Sequence, residues 1–105
     1  MRNSVGIELD STKVDPDHYQ VAFEDERVRV VTANYGPGEE SPMHSHPQQI
    51  VVFLTDVELV FTDPDGNTEK IVARAGDAVP LPPSTHRAVN KANQPARAVL
   101  VELKD

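Results

Sequence analysis

Gly38-Glu39-Glu40-Ser41-Pro42-Met43-His44-Ser45-His46-Pro47, with Ile50-Val51-Val52-Phe53-Leu54 just beyond it, is the stretch on which the reading of this chain turns. Side chains two apart on an extended strand share a face. His44 and His46 therefore aim the same way and present two imidazoles side by side. A His-x-His pair by itself also occurs on ordinary polar surface. Here it sits between the turn Gly36-Pro37-Gly38 and a run that is apolar on both faces, and that setting directs the pair toward the inside of a barrel.

Working outward, the chain reads as strand, turn, strand. Tyr19 to Phe23 alternates, and Glu24-Asp25-Glu26 turns it. Arg27 to Tyr35 is β-branched and partly alternating, as a half-buried strand is. Val57 to Thr62 alternates, Pro64-Asp65-Gly66-Asn67 is a turn, and Glu69 to Ala75 and Ala96 to Leu103 supply two further strands. Pro80-Leu81-Pro82-Pro83 is excluded from a central strand, because proline donates no ladder hydrogen bond. No segment has helical periodicity over ten or more residues. Short strands with turns every ~8–12 residues indicate a sandwich or barrel, and a jelly roll of about eight or more strands fits. The expected organisation is a polar N-terminal arm over residues 1–18 and one barrel domain over residues 19–105.

Composition bounds the function. A chain of 105 residues makes one domain. It has no cysteine, which removes disulfides, thiolate metal sites and Cys nucleophiles and fits a reducing cytoplasm. A net charge of −7 argues against a nucleic-acid partner. No apolar run approaches the ~20 residues of a membrane span, and the first residues lack the apolar core of a signal peptide. The expectation is a cytoplasmic protein with no membrane or nucleic-acid partner.

A second signal is Gly76-Asp77-Ala78-Val79-Pro80-Leu81-Pro82-Pro83-Ser84-Thr85-His86-Arg87-Ala88-Val89-Asn90. Taken alone, His86 reads as a surface or capped histidine more than as a ligand. Together the two segments resemble the two motifs of the cupin superfamily. Gly38, His44 and His46 match the first; Gly76, Pro82, His86 and Asn90 match the second, with one residue missing between Pro82 and His86. The resemblance covers Tyr19 to Leu103 and is nearest to small single-domain cupins. It implies a double-stranded β-helix and one divalent transition metal (Fe, Zn, Ni, Mn or Cu) on His44, His46 and His86.

The departures are specific. The glutamate that the family uses as a further ligand is absent. Counting back from Val57 puts Ile50 in its place, with Gln48 and Gln49 close enough to lend a neutral amide oxygen. Ser84 replaces the second motif's internal glycine. Alignment from the proline side would put Arg87 at the ligand place, but an arginine stays protonated and cannot ligate, so His86 is assigned there.

In cupins, three-histidine iron sites are associated with dioxygenases acting on thiols and diketones. The resemblance therefore implies a metal-dependent enzyme, dioxygenase-like, acting on a small polar organic molecule. The alternative is a non-catalytic binding or structural cupin with a degenerate site. No catalytic residue and no organic cofactor site are assigned. His18 reads as surface, Arg87 as solvated, Tyr35 and Phe53 as core, Asn90 as a turn-closing structural residue, and Glu39 and Glu40 as solvated loop. Asp63, Asp65 and Asn67 read as a turn and not a calcium loop. An exposed sheet edge and the two-sided apolar strand at Ile50 to Leu54 lead to the expectation of a homodimer.

Overall fold

The alternating segments become antiparallel strands. The computed structural model describes residues 9–104. In it a single helical turn, α1 (Ser11–Val14), precedes β1 (Tyr19–Glu24), β2 (Val28–Tyr35), β3 (His44–His46), β4 (Gln49–Phe53), β5 (Val57–Thr62), β6 (Thr68–Ala73), β7 (Ala78–Leu81), β8 (Ser84–Asn90) and β9 (Ala96–Leu103). One sheet has the order β1-β2-β9-β4-β7 and the other β3-β8-β5-β6. Inward residues of both, among them Val31, Tyr35, Val51, Phe53, Leu59 and Leu100, form one core. The all-β jelly-roll expectation is met.

The proline-rich run forms β7, an edge strand, with Pro80 opposite Ile50. A missing N–H does least harm at an edge. The motif glycines Gly38 and Gly76 have φ of 76° and 94°, in the left-handed region where a Cβ is strained. Asn90 is 1% exposed. Its amide nitrogen donates to the carbonyls of Tyr35, Gly36 and Gln94, and its oxygen accepts from Ala92 N. It thereby ties the end of β8 to the end of β2, the structural role read from the sequence. Asp63 spends its carboxylate on its own turn, accepting from the backbone of Asp65 and Asn67.

Residues 1–8 of the expected arm lie outside the described residues. Over residues 9–18 the chain lies against the barrel. Ser45 N donates to Leu9 O at 2.8 Å, and Asp10 bridges Ser45 in parallel. This segment covers the free side of β3, an edge that would otherwise offer unpaired backbone. Asp10 also caps α1 by accepting from Thr12 N.

The outer face of the five-stranded sheet is apolar. Register places Phe23, Val30, Val101, Ile50 and Pro80 in one row across all five strands. A parallel row carries Thr32, Val99, Val52 and Ala78. Phe23 is 54% and Ile50 37% exposed. Five strands at about 4.8 Å spacing make a face about 20 Å wide. A two-fold contact of such a face with itself buries it on both copies at once. We propose that a second copy of this chain covers it. The expected mass at micromolar concentration, by light scattering, is that of a dimer, and Phe23→Glu with Ile50→Glu should give a folded monomer. A monomeric parent chain would sink the proposal.

Candidate metal centre

β3 and β8 pair antiparallel with His44 opposite His86 and His46 opposite Ser84. All three histidines point inward, at 0%, 5% and 6% exposure in the order His44, His46, His86. Adjacent strands and two-residue spacing thus converge the trio, and one ring nitrogen from each lies within 4.8 Å of the others. Two nitrogens on one tetrahedral ion at about 2.1 Å are about 3.4 Å apart. Side-chain rotation that draws the nitrogens together by up to about 1.4 Å would seat an ion.

The ring chemistry also fits. His44 Nδ1 lies 2.9 Å from Pro42 O. A carbonyl only accepts, so Nδ1 carries the proton and Nε2 keeps a free lone pair. Fixing one imidazole nitrogen on a backbone carbonyl to free the other is the usual support of a metal-binding histidine. His44 Nε2 and His46 Nδ1 are buried with no hydrogen-bond partner. Leaving buried polar atoms unpaired costs about 1–3 kcal/mol each, so such atoms call for a function. Burial lowers the pKa of all three rings. At His44 burial, with the charge of His18, outweighs the bond to Pro42 O and the charge of Asp15; at His46 burial is joined by the neighbouring histidines and Arg29; at His86 burial, with His44, brings the value to about 3. The rings are therefore neutral near pH 7, the form that ligates.

Of the two candidate glutamines, Gln49 is the one that shares the chamber wall with His46 and His86. It is 2% exposed, faces inward on β4, and its Oε1 is buried without a partner. Gln48 and Ile50 are exposed. The sequence count that put Ile50 at the lost ligand place is corrected. Inward residues of β4 are Gln49, Val51 and Phe53, so Ile50 faces out. The only residues between β3 and β4 are Pro47 and Gln48, a shorter link than the count assumed.

Opposite Gln49, on β9, stands Glu102, 3% exposed. Arg29 Nε donates to its Oε1 at 2.7 Å and also reaches Asp10, at 2.9 Å. Burial raises the pKa of Glu102, opposed by Arg29. No local pattern marks this pair, whose members are 73 residues apart.

His18 is not the surface residue expected. Its ring stacks on Tyr35 at 4.2 Å and 3°. Asp15 Oδ2 lies 2.7 Å from Nδ1 and Glu39 Oε1 3.1 Å from Nε2. Two carboxylate acceptors need two N–H donors, so His18 is clamped as an imidazolium. Tyr35 hydroxyl in turn bonds Tyr19 hydroxyl at 2.7 Å, and Tyr19 packs on His44 and His46. Glu39 is exposed, as expected, but engaged. Arg87 is exposed on β8.

Beside the trio lies an interior chamber of about 80 Å³. His46, His86, Gln49 and the Tyr19–Tyr35 pair are its polar wall, and alkyl and aryl side chains such as Val51, Phe53, Leu59 and Leu100 make the rest. No Asp, Glu or Lys lines it among the described residues. The expected polar substrate is poorly matched by such a wall.

The comparisons agree with the fold. Residues 31–102 match the family model described as a cupin domain. The chain belongs to the cupin family. A cupin domain from Bordetella pertussis Tohama I is 26% identical, over 83% of this chain and 92% of its own, with a TM-score of 0.76. A protein with a double-stranded β-helix domain from Klebsiella pneumoniae is 23% identical, over 98% of this chain and 90% of its own, with a TM-score of 0.64. An oxalate decarboxylase of B. subtilis is 16% identical, over 82% of this chain but 24% of its own, with a TM-score of 0.59. At that identity the likeness is one of fold alone. No curated protein matches the chain. Among the described residues, no helix is long and apolar enough to cross a membrane.

Two outcomes are expected. Burial lowers the His18 pKa, but the hydrogen bonds and charges of Asp15 and Glu39 outweigh it, and the net shift is upward from 6.5. A proton held more tightly in the folded state stabilises fully below the unfolded pKa, and that gain fades as pH rises through the folded pKa. His18→Gln should therefore destabilise at about pH 6, with the deficit shrinking toward about pH 9, as read by urea unfolding; equal stability at the lower pH would remove the clamp. Separately, Gln49→Glu sets a second buried carboxylate opposite Glu102, and like charges directly opposed on a sheet destabilise. It should lower the metal-free chain's urea midpoint, and adding Glu102→Gln should recover it; no recovery would show that the two side chains are uncoupled.

Proposed function

We propose that this chain is a metal-dependent cupin enzyme in which His44, His46 and His86 hold one divalent transition metal, with Gln49 as a neutral fourth donor, and that its chemistry is of the iron dioxygenase type on a small molecule. The carrying observation is the set of three buried, neutral imidazoles, two with unpartnered ring nitrogens, of which His46 and His86 line an interior chamber. Iron in such a site would supply one-electron and oxygen chemistry. The residues of the chain do the rest. Pro42 O holds the His44 ring in the ligating tautomer, the apolar wall excludes water, and the Tyr19–Tyr35 hydroxyl pair offers hydrogen bonding inside it.

The lack of a lining carboxylate or lysine weighs against isomerase or epimerase chemistry, which needs a placed base. The same lack supports a second reading, a binding module that holds metal and a ligand without turnover. With no cysteine to oxidise, a cytoplasmic location belongs to the proposal.

Metal analysis of the untagged purified protein should give close to one ion per chain, and His44→Ala and His86→Ala should each reduce it to background. Iron-loaded protein should then consume oxygen with a small thiol or diketone. Metal without oxygen uptake across that set would favour the binding module, and background metal in the parent chain would defeat both.

A further inference from the structure

Two spaces meet at the wall of the metal site. One is the interior chamber. The other is an open cleft of about 390 Å³ between the β5–β6 hairpin and the β7–β8 loop. Phe61, Ile71, Leu81 and His86 line both. These four side chains are the partition between solvent and chamber at this point. Phe61 is half-buried and lies nearly flat on His86, with ring centroids 4.0 Å apart and 17° between planes. Rotation of one phenyl ring off the imidazole joins the two spaces.

The spaces differ in chemistry. The cleft carries Asp63 and Glu69 with Asn67, Thr68, Ser84 and Thr85, and no Lys or Arg among its described lining residues. The chain as a whole has a net charge of −7. An anion approaching by this route meets a negative potential. In the chamber, the one cationic side chain on the wall among the described residues is Arg97, exposed and alternating with the inward Ala96 and Ala98. The attraction of a bound metal would act on an anion only once it had crossed the acidic cleft and shed its hydration. Size is bounded as well. A cavity of about 150 Å³ holds a benzene ring; this one is about 80 Å³.

We propose that Phe61 is the specificity-determining gate of the metal centre, and that the ligand it passes is uncharged, largely apolar and smaller than a benzene ring. The inference rests on the metal-site reading above and names the substrate class of that same site.

Cobalt(II)-loaded protein tests it without any turnover, because its visible spectrum reports a donor entering an open position. The probes are imidazole, benzimidazole and azide. The parent chain should respond to imidazole and bind benzimidazole at least tenfold more weakly. Phe61→Ala should raise benzimidazole affinity at least tenfold and leave imidazole within about threefold. Phe61→Leu, the milder change, should fall between. Glu69→Gln should raise azide affinity several-fold at low salt, with the gain lost at high salt. Cobalt bound in all variants with benzimidazole affinity unchanged by either Phe61 substitution would overturn the gate and leave the metal site standing. Azide affinity indifferent to Glu69→Gln would overturn the charge selection. A parent chain that takes up no cobalt would overturn the metal-site reading and the gate with it.

Discussion

Three imidazoles share one buried corner of the barrel, and burial keeps them uncharged. Much of the surrounding structure serves to hold that arrangement. A protonated ring there would lack both solvent and a carboxylate partner, and its neighbours would repel it. A neutral ring keeps a lone pair, and two of the ring nitrogens have nothing to accept from. The trio by itself is thus a local loss in the folding balance. Anything that binds the folded state and not the unfolded one offsets that loss by mass action.

Orientation comes from the layers behind the trio. The cross-strand pairing of His44 with His86 fixes the separation, and the hydrogen bond between Ser45 and Thr85 hydroxyls, at 2.7 Å, staples the same two strands on their other face. That face would be an open edge without residues 9 and 10 lying along Ser45. Tyr19, directly after the N-terminal segment, packs on two of the histidines and hands its hydroxyl to Tyr35, on which the His18 imidazolium rests. The segment read as a polar arm is therefore coupled to the site through aromatic contacts. Loosening the Asp15–His18–Glu39 clamp would act on the histidines at second hand.

How far the sequence disclosed this depends on the range of each signal. Alternation and turn chemistry are local, so the strands, the Pro80 edge and the Asp63 turn were legible. The trio was legible because a two-residue spacing shares a face and because the family motifs supplied His86. Motif counting assumes a link length, so it puts Ile50 at the ligand place and leaves Gln48 and Gln49 as neighbouring candidates; the alternation Gln49, Val51, Phe53 against Ile50, Val52 decides the inward face within β4. His18 and Glu102 were not legible at all. Their partners Glu39 and Arg29 are 21 and 73 residues away, and nothing in the local pattern marks them. Phe61 was read only as part of an alternating strand, since its role depends on two spaces that exist only once the sheets close.

The amide at position 49 then becomes intelligible as one half of a coupled choice. Cupins commonly place a glutamate near this point. Here the carboxylate sits one strand over, on Glu102, directly opposite Gln49 and already held by Arg29. Arg29 also serves Asp10, so its charge is divided between two acids before any ligand arrives. A glutamate at 49 would leave two inward carboxylates facing each other with a share of one guanidinium. A glutamine removes that repulsion and still turns an oxygen inward, but it hands the metal site a neutral donor set. An ion held by three imidazoles and an amide keeps its full charge within the protein. The compensation that a carboxylate ligand would have given must then come from solvent or from the bound molecule. The acidic cleft outside admits such a molecule only in an uncharged form, so the two constraints together favour a ligand that arrives neutral and carries an ionisable O–H or S–H.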